Sequence, residues 1–273
     1  MKWVCAALLA LVACHRSSAP AELRIVSLSP STTEATFAVG AGSRMVGRSR
    51  YCNYPAEVLK LPQVGGYVDP SFEAILGLRP SLVVGARGPA GSAIAEKLEA
   101  HGIKTYFPPT ETFAQIDEMI LGVGARTGHD ADAKKEVDRL HARIDEVSKS
   151  AADKPRRRVV LVFGLAPISV AGPGSFADEM LQHVNAENAV KEGGAYPTVG
   201  VERILALDPE VVINAAMMEE RSAERLNAGA PGWSAVRAVK EGRVRTITDE
   251  AVLRPGPRLG EGLRLLADAV HAP

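Results

Sequence analysis

Cysteine is nearly absent: three in 273 residues, too few for a disulfide framework. Aromatic side chains are scarce at 5%, with two Trp, five Tyr and six Phe, so any aromatic that lines a binding site stands out. Neither sign of charge prevails, because 32 basic residues face 32 acidic ones. A nucleic-acid binder would carry a basic excess, and this chain does not. There is no G-x-x-x-x-G-K-[ST] phosphate loop and no G-x-S-x-G nucleophile elbow. The six histidines fall at 15, 101, 129, 141, 183 and 271. None pairs with another at metal-ligand spacing, which speaks against a zinc hydrolase and against a receptor for free metal ions. The remaining composition, 46% hydrophobic and 23% charged, is that of a globular chain with ample material for a core.

The amino terminus assigns a compartment. Met1-Lys2-Trp3 supplies one positive charge, and the apolar run Val4 to Ala13 is too short to span a bilayer. Leu11-Val12-Ala13-Cys14 resembles a bacterial lipobox. That resemblance implies removal of residues 1–13, lipidation of Cys14, a tether over 14–23 and an extracytoplasmic, membrane-anchored protein. The alternative is a plain secretory signal that happens to contain a cysteine.

Beyond residue 24, strand and helix patterns alternate. Arg24 to Leu28, Met45 to Gly47, Ser81 to Gly85 and Lys104 to Phe107 read as strands. Helices fit from about Thr33 to Val39 and from Ala90 to His101, each closed by a glycine. The alternation restarts at Arg158 to Phe163 and ends in a helix from Leu259 to His271. This predicts an α/β fold with parallel central sheets in two Rossmann-like lobes, 24–128 and 156–273. A repeat supports two lobes: Glu73-Ala-Ile-Leu-Gly-Leu-Arg-Pro80 corresponds to Glu202-Arg-Ile-Leu-Ala-Leu-Asp-Pro209, and each copy runs into an apolar strand. Between the lobes, over 129–155, Val137, Leu140, Ile144 and Val147 recur at helical spacing. About 20 helical residues reach about 30 Å, enough to bridge two lobes.

Several segments then carry a family likeness. Arg24-Ile-Val-Ser-Leu-Ser-Pro-Ser-Thr-Thr-Glu34, Tyr51-Cys-Asn-Tyr-Pro55, Val64 to Ile75 and Arg79 to Val84 resemble the substrate-binding proteins of ATP-driven importers that take up cobalamin, haem and iron–siderophore complexes. The likeness extends from about residue 24 to the end, through Gly232-Trp233 and Gly242-Arg-Val244. It implies two α/β lobes joined by one rigid helix, ligand in the cleft between them, no catalysis, no resident cofactor and no metal site. It also implies a monomer whose partners are a membrane permease and its ATPase. Within the family the cobalamin-binding members are most alike. Tyr51 matches a cleft tyrosine of those members. Tyr67 and Tyr196 fall where they carry tryptophans, and Ala86 falls where a further tryptophan would stand. Arg254 and Arg258, in Arg-Pro-Gly-Pro-Arg, match a polar cleft rim, and one glutamate per lobe, here Glu73 and Glu202, matches the pair that docks to the permease.

These assignments fit the chemistry of a large, flat, amphipathic ring. Tyrosine offers an apolar face and a hydroxyl, and arginine holds amide, phosphate or carboxylate groups. Arg87 is a further candidate at the cleft mouth. Ser29 to Thr32 precede a helix and are read as its cap. A corrinoid is the expected ligand. Haem, for which Tyr51 or Tyr67 offers an axial phenol, and a ferric siderophore are the alternatives. A non-transport sensor or scaffold is the reading from another class.

Overall fold

The structure is a computed structural model that describes residues 22–66, 68–87, 91–217, 226, 229 and 231–273. The described residues build two sheets. The first has the order β2-β1-β3-β4 and is parallel throughout, formed by β1 (Ile25–Ser27), β2 (Met45–Arg48), β3 (Leu82–Val84) and β4 (Lys104–Tyr106). The second has the order β6-β5-β8-β9 with β7 also on β5, and comprises β5 (Arg157–Leu165), β6 (Ile168–Val170), β7 (Ala186–Asn188), β8 (Val211–Asn214) and β9 (Val244–Thr246). All its pairings are parallel except β5 with β6. The prediction of parallel α/β lobes therefore holds, with one correction. Only Ala166 and Pro167 separate β5 from β6, a connection too short for anything but an antiparallel return.

The inner strands β1, β3, β5 and β8 read as largely apolar runs because both faces are covered. Ile25, Leu82, Val84, Val159, Leu161, Val211 and Ile213 face a central core, whereas Val26 and Val83 pack in one outer cluster and Val160, Val162 and Val212 in another. This is the period-two alternation of a strand. The central core belongs to both lobes at once. It takes in Ile116, Met119, Ile120 and Val123 of α4 (Phe113–Thr127), Ala133, Leu140, Ile144 and Val147 of α5 (Asp130–Ala151), and Leu259, Leu263 and Leu266 of the last helix (Leu259–His271).

Helix α5 is thus the common wall. Its buried side chains Ala133, Glu136, Leu140, Ile144, Val147 and Ala151 form one stripe. Val137 lies at the margin of that stripe and is partly buried. Gly128 ends α4 in the left-handed region, at φ +77°, with its N–H bonded to the Gly124 carbonyl, which turns the chain directly into α5. The two helices then touch closely: a Cβ on Gly124 would lie 2.4 Å from that of Ala133.

Among the described residues the remaining helices are α1 (Pro30–Ala38), α2 (Phe72–Gly77), α3 (Gly91–Glu99), α6 (Phe176–His183), α7 (Val201–Leu207), α8 (Arg237–Lys240) and the terminal α9 (Leu259–His271). Helix α1 begins at Pro30 instead of Thr33, because Ser29 caps it by accepting from the Thr32 N–H and proline is favoured at the first helical position. Residues 233–240 form a short 3-10 turn, Trp233–Ala235, followed by α8. The internal repeat has a conformational signature. Helices α2 and α7 are each followed by a non-glycine residue in the left-handed region, Arg79 at φ 48° and Asp208 at φ 44°, and both stand immediately before a proline. Left-handed backbone is uncommon outside glycine, so its recurrence at matching positions marks the two segments as equivalent.

Candidate functional site

In parallel α/β sheets, ligands bind beyond the carboxyl ends of the strands. A cavity of about 540 Å³ lies at those ends, between the lobes. From the first lobe it is lined by Ser29 to Ser31 beyond β1, Tyr51 beyond β2, Ala86 and Arg87 beyond β3, and Thr110 and Glu111 beyond β4. From the second it receives Phe163, Ser169, Phe176 and Tyr196, and then Leu253 to Pro255 beyond β9. Its size falls within the range of small-molecule sites, and its lining has their character of apolar walls with a few polar groups. A larger hollow of about 830 Å³ sits around Leu23, Lys104 and Arg126. It belongs to the first lobe alone, near the starts of strands, away from the cleft.

Most of the predicted ligand contacts meet in the inter-lobe cavity. Tyr51 is half-buried there, with the Arg50 guanidinium 5.7 Å from its ring centre. Tyr196 is 43% exposed, stands edge-on to Phe163 at 5.7 Å, and donates its hydroxyl to Glu111 Oε2 at 2.7 Å. Arg87 lines the cavity with its backbone N–H bonded to the Pro108 carbonyl. Arg254 lines it too, holding Glu250 at 2.5 Å through Nη2, while its buried Nε–H meets no acceptor among the described residues. Tyr67 lies outside the described residues, as does Cys14.

Arg258 is not brought into this cavity. Its Nε and Nη2 form a two-pronged pair with the Glu34 carboxylate at 3.0 and 2.9 Å, its guanidinium covers the Tyr54 ring at 4.1 Å, and Asp249 stands 3.7 Å away. Arginine's planar fork matches a carboxylate in just this way. Arg254 lines the cavity, whereas Arg258, four residues on, reaches across to α1 and ties the lobes together. Burial pushes the Glu34 carboxyl above the usual glutamate range, with Arg258 pulling the other way. Nearby, Asn53 donates to Glu250 at 3.0 Å across the same junction. Burial pushes Glu250 up as well, but its bonds to Arg254 and Asn53 outweigh that and hold it below the usual range.

The opposite side of the junction is also bonded. The Phe113 N–H, at the start of α4, donates to Glu179 of α6 at 2.8 Å, and the Phe113 ring stacks on His183 at 4.7 Å. A carboxylate from one lobe thus satisfies a helix N-terminus of the other. Glu34, Glu111, Phe163 and Phe176 escape a reading by sequence alone. Glu34 sits in the recognised opening segment, yet its partner is 224 residues away. Cys52 is a buried free thiol that accepts from Thr33 Oγ1 at 3.0 Å.

Glu73 and Glu202 lie far from this chemistry, both exposed in the first turns of α2 and α7. Among the described residues no group of three or more His, Cys, Asp and Glu could hold a metal ion, and no helix is long and apolar enough to cross a membrane.

Comparison with known proteins matches this arrangement over most of its length. Residues 25–251 fit the family model described as periplasmic binding protein. The chain belongs to the periplasmic binding protein family. Such proteins bind their substrate and do not transform it, use no cofactor, work outside the cytoplasm and serve permease–ATPase importers. The Bacillus subtilis protein described as an uncharacterised ABC transporter substrate-binding lipoprotein, YvrC, is 28% identical over 91% of this chain and 80% of its own length. The vitamin B12-binding protein of Salmonella typhimurium is 31% identical over 72% of this chain and 74% of its own. Among solved structures, a periplasmic haem-binding protein from Pseudomonas aeruginosa is 27% identical, with a TM-score of 0.78 over 91% of this chain and 92% of its own. This member of the family is therefore a substrate-binding protein of an importer class whose ligands are vitamin B12, haem and iron chelates.

Proposed function

We propose that this periplasmic binding protein captures cobalamin or a related corrinoid in the inter-lobe cleft and delivers it, as a monomer, to a permease and its ATPase. A lipid on Cys14 tethers it to the membrane after residues 1–13 are removed. The observation that carries the ligand assignment is the mixed lining of the cavity. Aromatic faces of Tyr51, Phe163, Phe176 and Tyr196 suit a flat macrocycle, while an arginine N–H donor and a glutamate acceptor suit a rim of carboxamides, which both accept and donate. Relatives named for vitamin B12 support the same reading.

Arg254, which lines the cavity and is paired with Glu250, supplies the donor through its guanidinium. The cross-lobe ion pair Glu34–Arg258 keeps the cleft pre-formed, so affinity arises from burial with little rearrangement. Glu73 and Glu202, one on each lobe and both exposed, are the docking carboxylates for cationic residues of the permease, where fixed charges set orientation and encounter rate.

Haem is the second reading. It is favoured by the phenol of Tyr51 at the cavity wall and by structural neighbours named as haem-binding. Absorbance titration of the purified chain with cyanocobalamin, haem and a ferric siderophore separates the readings. Saturable 1:1 binding of cyanocobalamin is expected. A shifted haem band with no cobalamin response would assign the cleft to haem instead.

A further inference from the structure

The cavity carries three charged side chains among the described residues, Arg87, Glu111 and Arg254, and their chemistry is not equivalent. The Arg254 guanidinium only donates, and either a carboxamide carbonyl or a carboxylate satisfies it. It therefore does not separate an amide-bearing macrocycle from a carboxylate-bearing one. Glu111 does. Its side chain lies beyond β4, partly buried, and Tyr196 of the other lobe holds Oε2 with a hydroxyl at 2.7 Å. The Tyr196 ring is itself braced edge-on by Phe163 at 5.7 Å. The carboxylate is thus oriented from across the cleft and accepts only.

We propose that Glu111, positioned by Tyr196, is a specificity-determining residue of the cleft that admits ligands rimmed with neutral hydrogen-bond donors and rejects those rimmed with carboxylates. A carboxamide offers Glu111 an N–H. An ionised propionate, as on haem, offers Glu111 only oxygen lone pairs and a like charge, so Glu111 gains no donor from it and the two negative charges repel. Glu111 has no part in the motif that identifies the family: it follows β4 in a loop segment, Pro108 to Glu111, that carries no recognised pattern. This inference rests on the corrinoid reading above and refines it, naming the residue by which two ligands of similar size and flatness are told apart.

The test measures dissociation constants for cyanocobalamin and for haem on the full chain and on two variants, with thermal melting as the check of folding. Wild type is expected to favour cyanocobalamin. Glu111→Gln keeps the side-chain shape and removes the charge, so the preference should fall by about tenfold or more, mostly through tighter haem binding. Tyr196→Phe keeps the ring and removes the hydroxyl that orients Glu111, so it should lower the preference in the same direction by a smaller factor. A preference within twofold of wild type in a folded Glu111→Gln overturns the inference while leaving the corrinoid reading intact. Should that variant not fold, an unchanged preference in Tyr196→Phe overturns it equally. Wild type that binds haem over cyanocobalamin, or neither, overturns the corrinoid reading and this inference together.

Discussion

Glu34 and Arg258 show how a single ion pair joins distant parts of the chain. Glu34 is almost wholly covered, with its side chain 1% exposed, and Arg258 is 14% exposed. Removing Arg258 leaves the buried Glu34 carboxylate without its partner, and removing Glu34 leaves Arg258 only the more distant Asp249, whereas replacing both with apolar side chains of similar volume is often neutral. Glu34→Ala or Arg258→Ala alone should therefore cost about 3–5 kcal/mol, and Glu34→Met with Arg258→Met far less than the sum of the single changes. Urea denaturation of the four proteins measures this coupling, and strictly additive losses would show that the two groups do not act as a pair. At this scale the sequence was informative but incomplete. Tyr51, Tyr196 and Arg254 are placed at the cleft by likeness to a family, because their neighbours form recognisable motifs, and Arg87 as a further candidate at the cleft mouth. Glu34 and Glu111 could not be assigned roles, because a carboxylate's role depends on the group opposite, and both partners come from the other lobe.

At the scale of elements, α5 carries the architecture. Its stripe of Ala133, Leu140, Ile144 and Val147 packs into a core shared with α4, α9 and strands of both sheets. That stripe is visible in the sequence, since helical periodicity is a local property. Less visible are β6 and β7, at three residues each. Ser169 in β6 and Glu187 and Asn188 in β7 interrupt any apolar run, and the pairing of both strands with β5 depends on tertiary context. The shared core has a thermodynamic consequence. Two lobes with separate cores would unfold in separate steps, but lobes built on one core should unfold together. Thermal and urea unfolding, followed by far-ultraviolet circular dichroism and by fluorescence of Trp233, which is buried in the second lobe, should give coincident transitions. Two resolved transitions would mean that the core is divided at α5.

For the whole molecule, the distribution of charge matters more than its sum. The balance of 32 basic and 32 acidic residues conceals arginines and one glutamate at the cleft and exposed glutamates on equivalent helices of each lobe. If Glu73 and Glu202 dock the permease, Glu73→Arg with Glu202→Arg should lower ligand uptake in cells by tenfold or more, because like charges then face each other at the interface. Ligand affinity of the purified variant should be unchanged, as neither residue lines the cavity. Wild-type uptake by the double variant would remove the docking assignment.

The most direct measurement is calorimetric titration of cyanocobalamin into wild type and into the double variant Tyr51→Ala, Tyr196→Ala. These side chains come from different lobes and face the same cavity. Truncating a buried aromatic at a binding site costs about 2 kcal/mol. The expected result is 1:1 binding to wild type and affinity about a hundredfold weaker or worse in the folded variant. Absence of saturable binding to wild type, or equal affinity in the variant, would contradict capture of a corrinoid between the lobes.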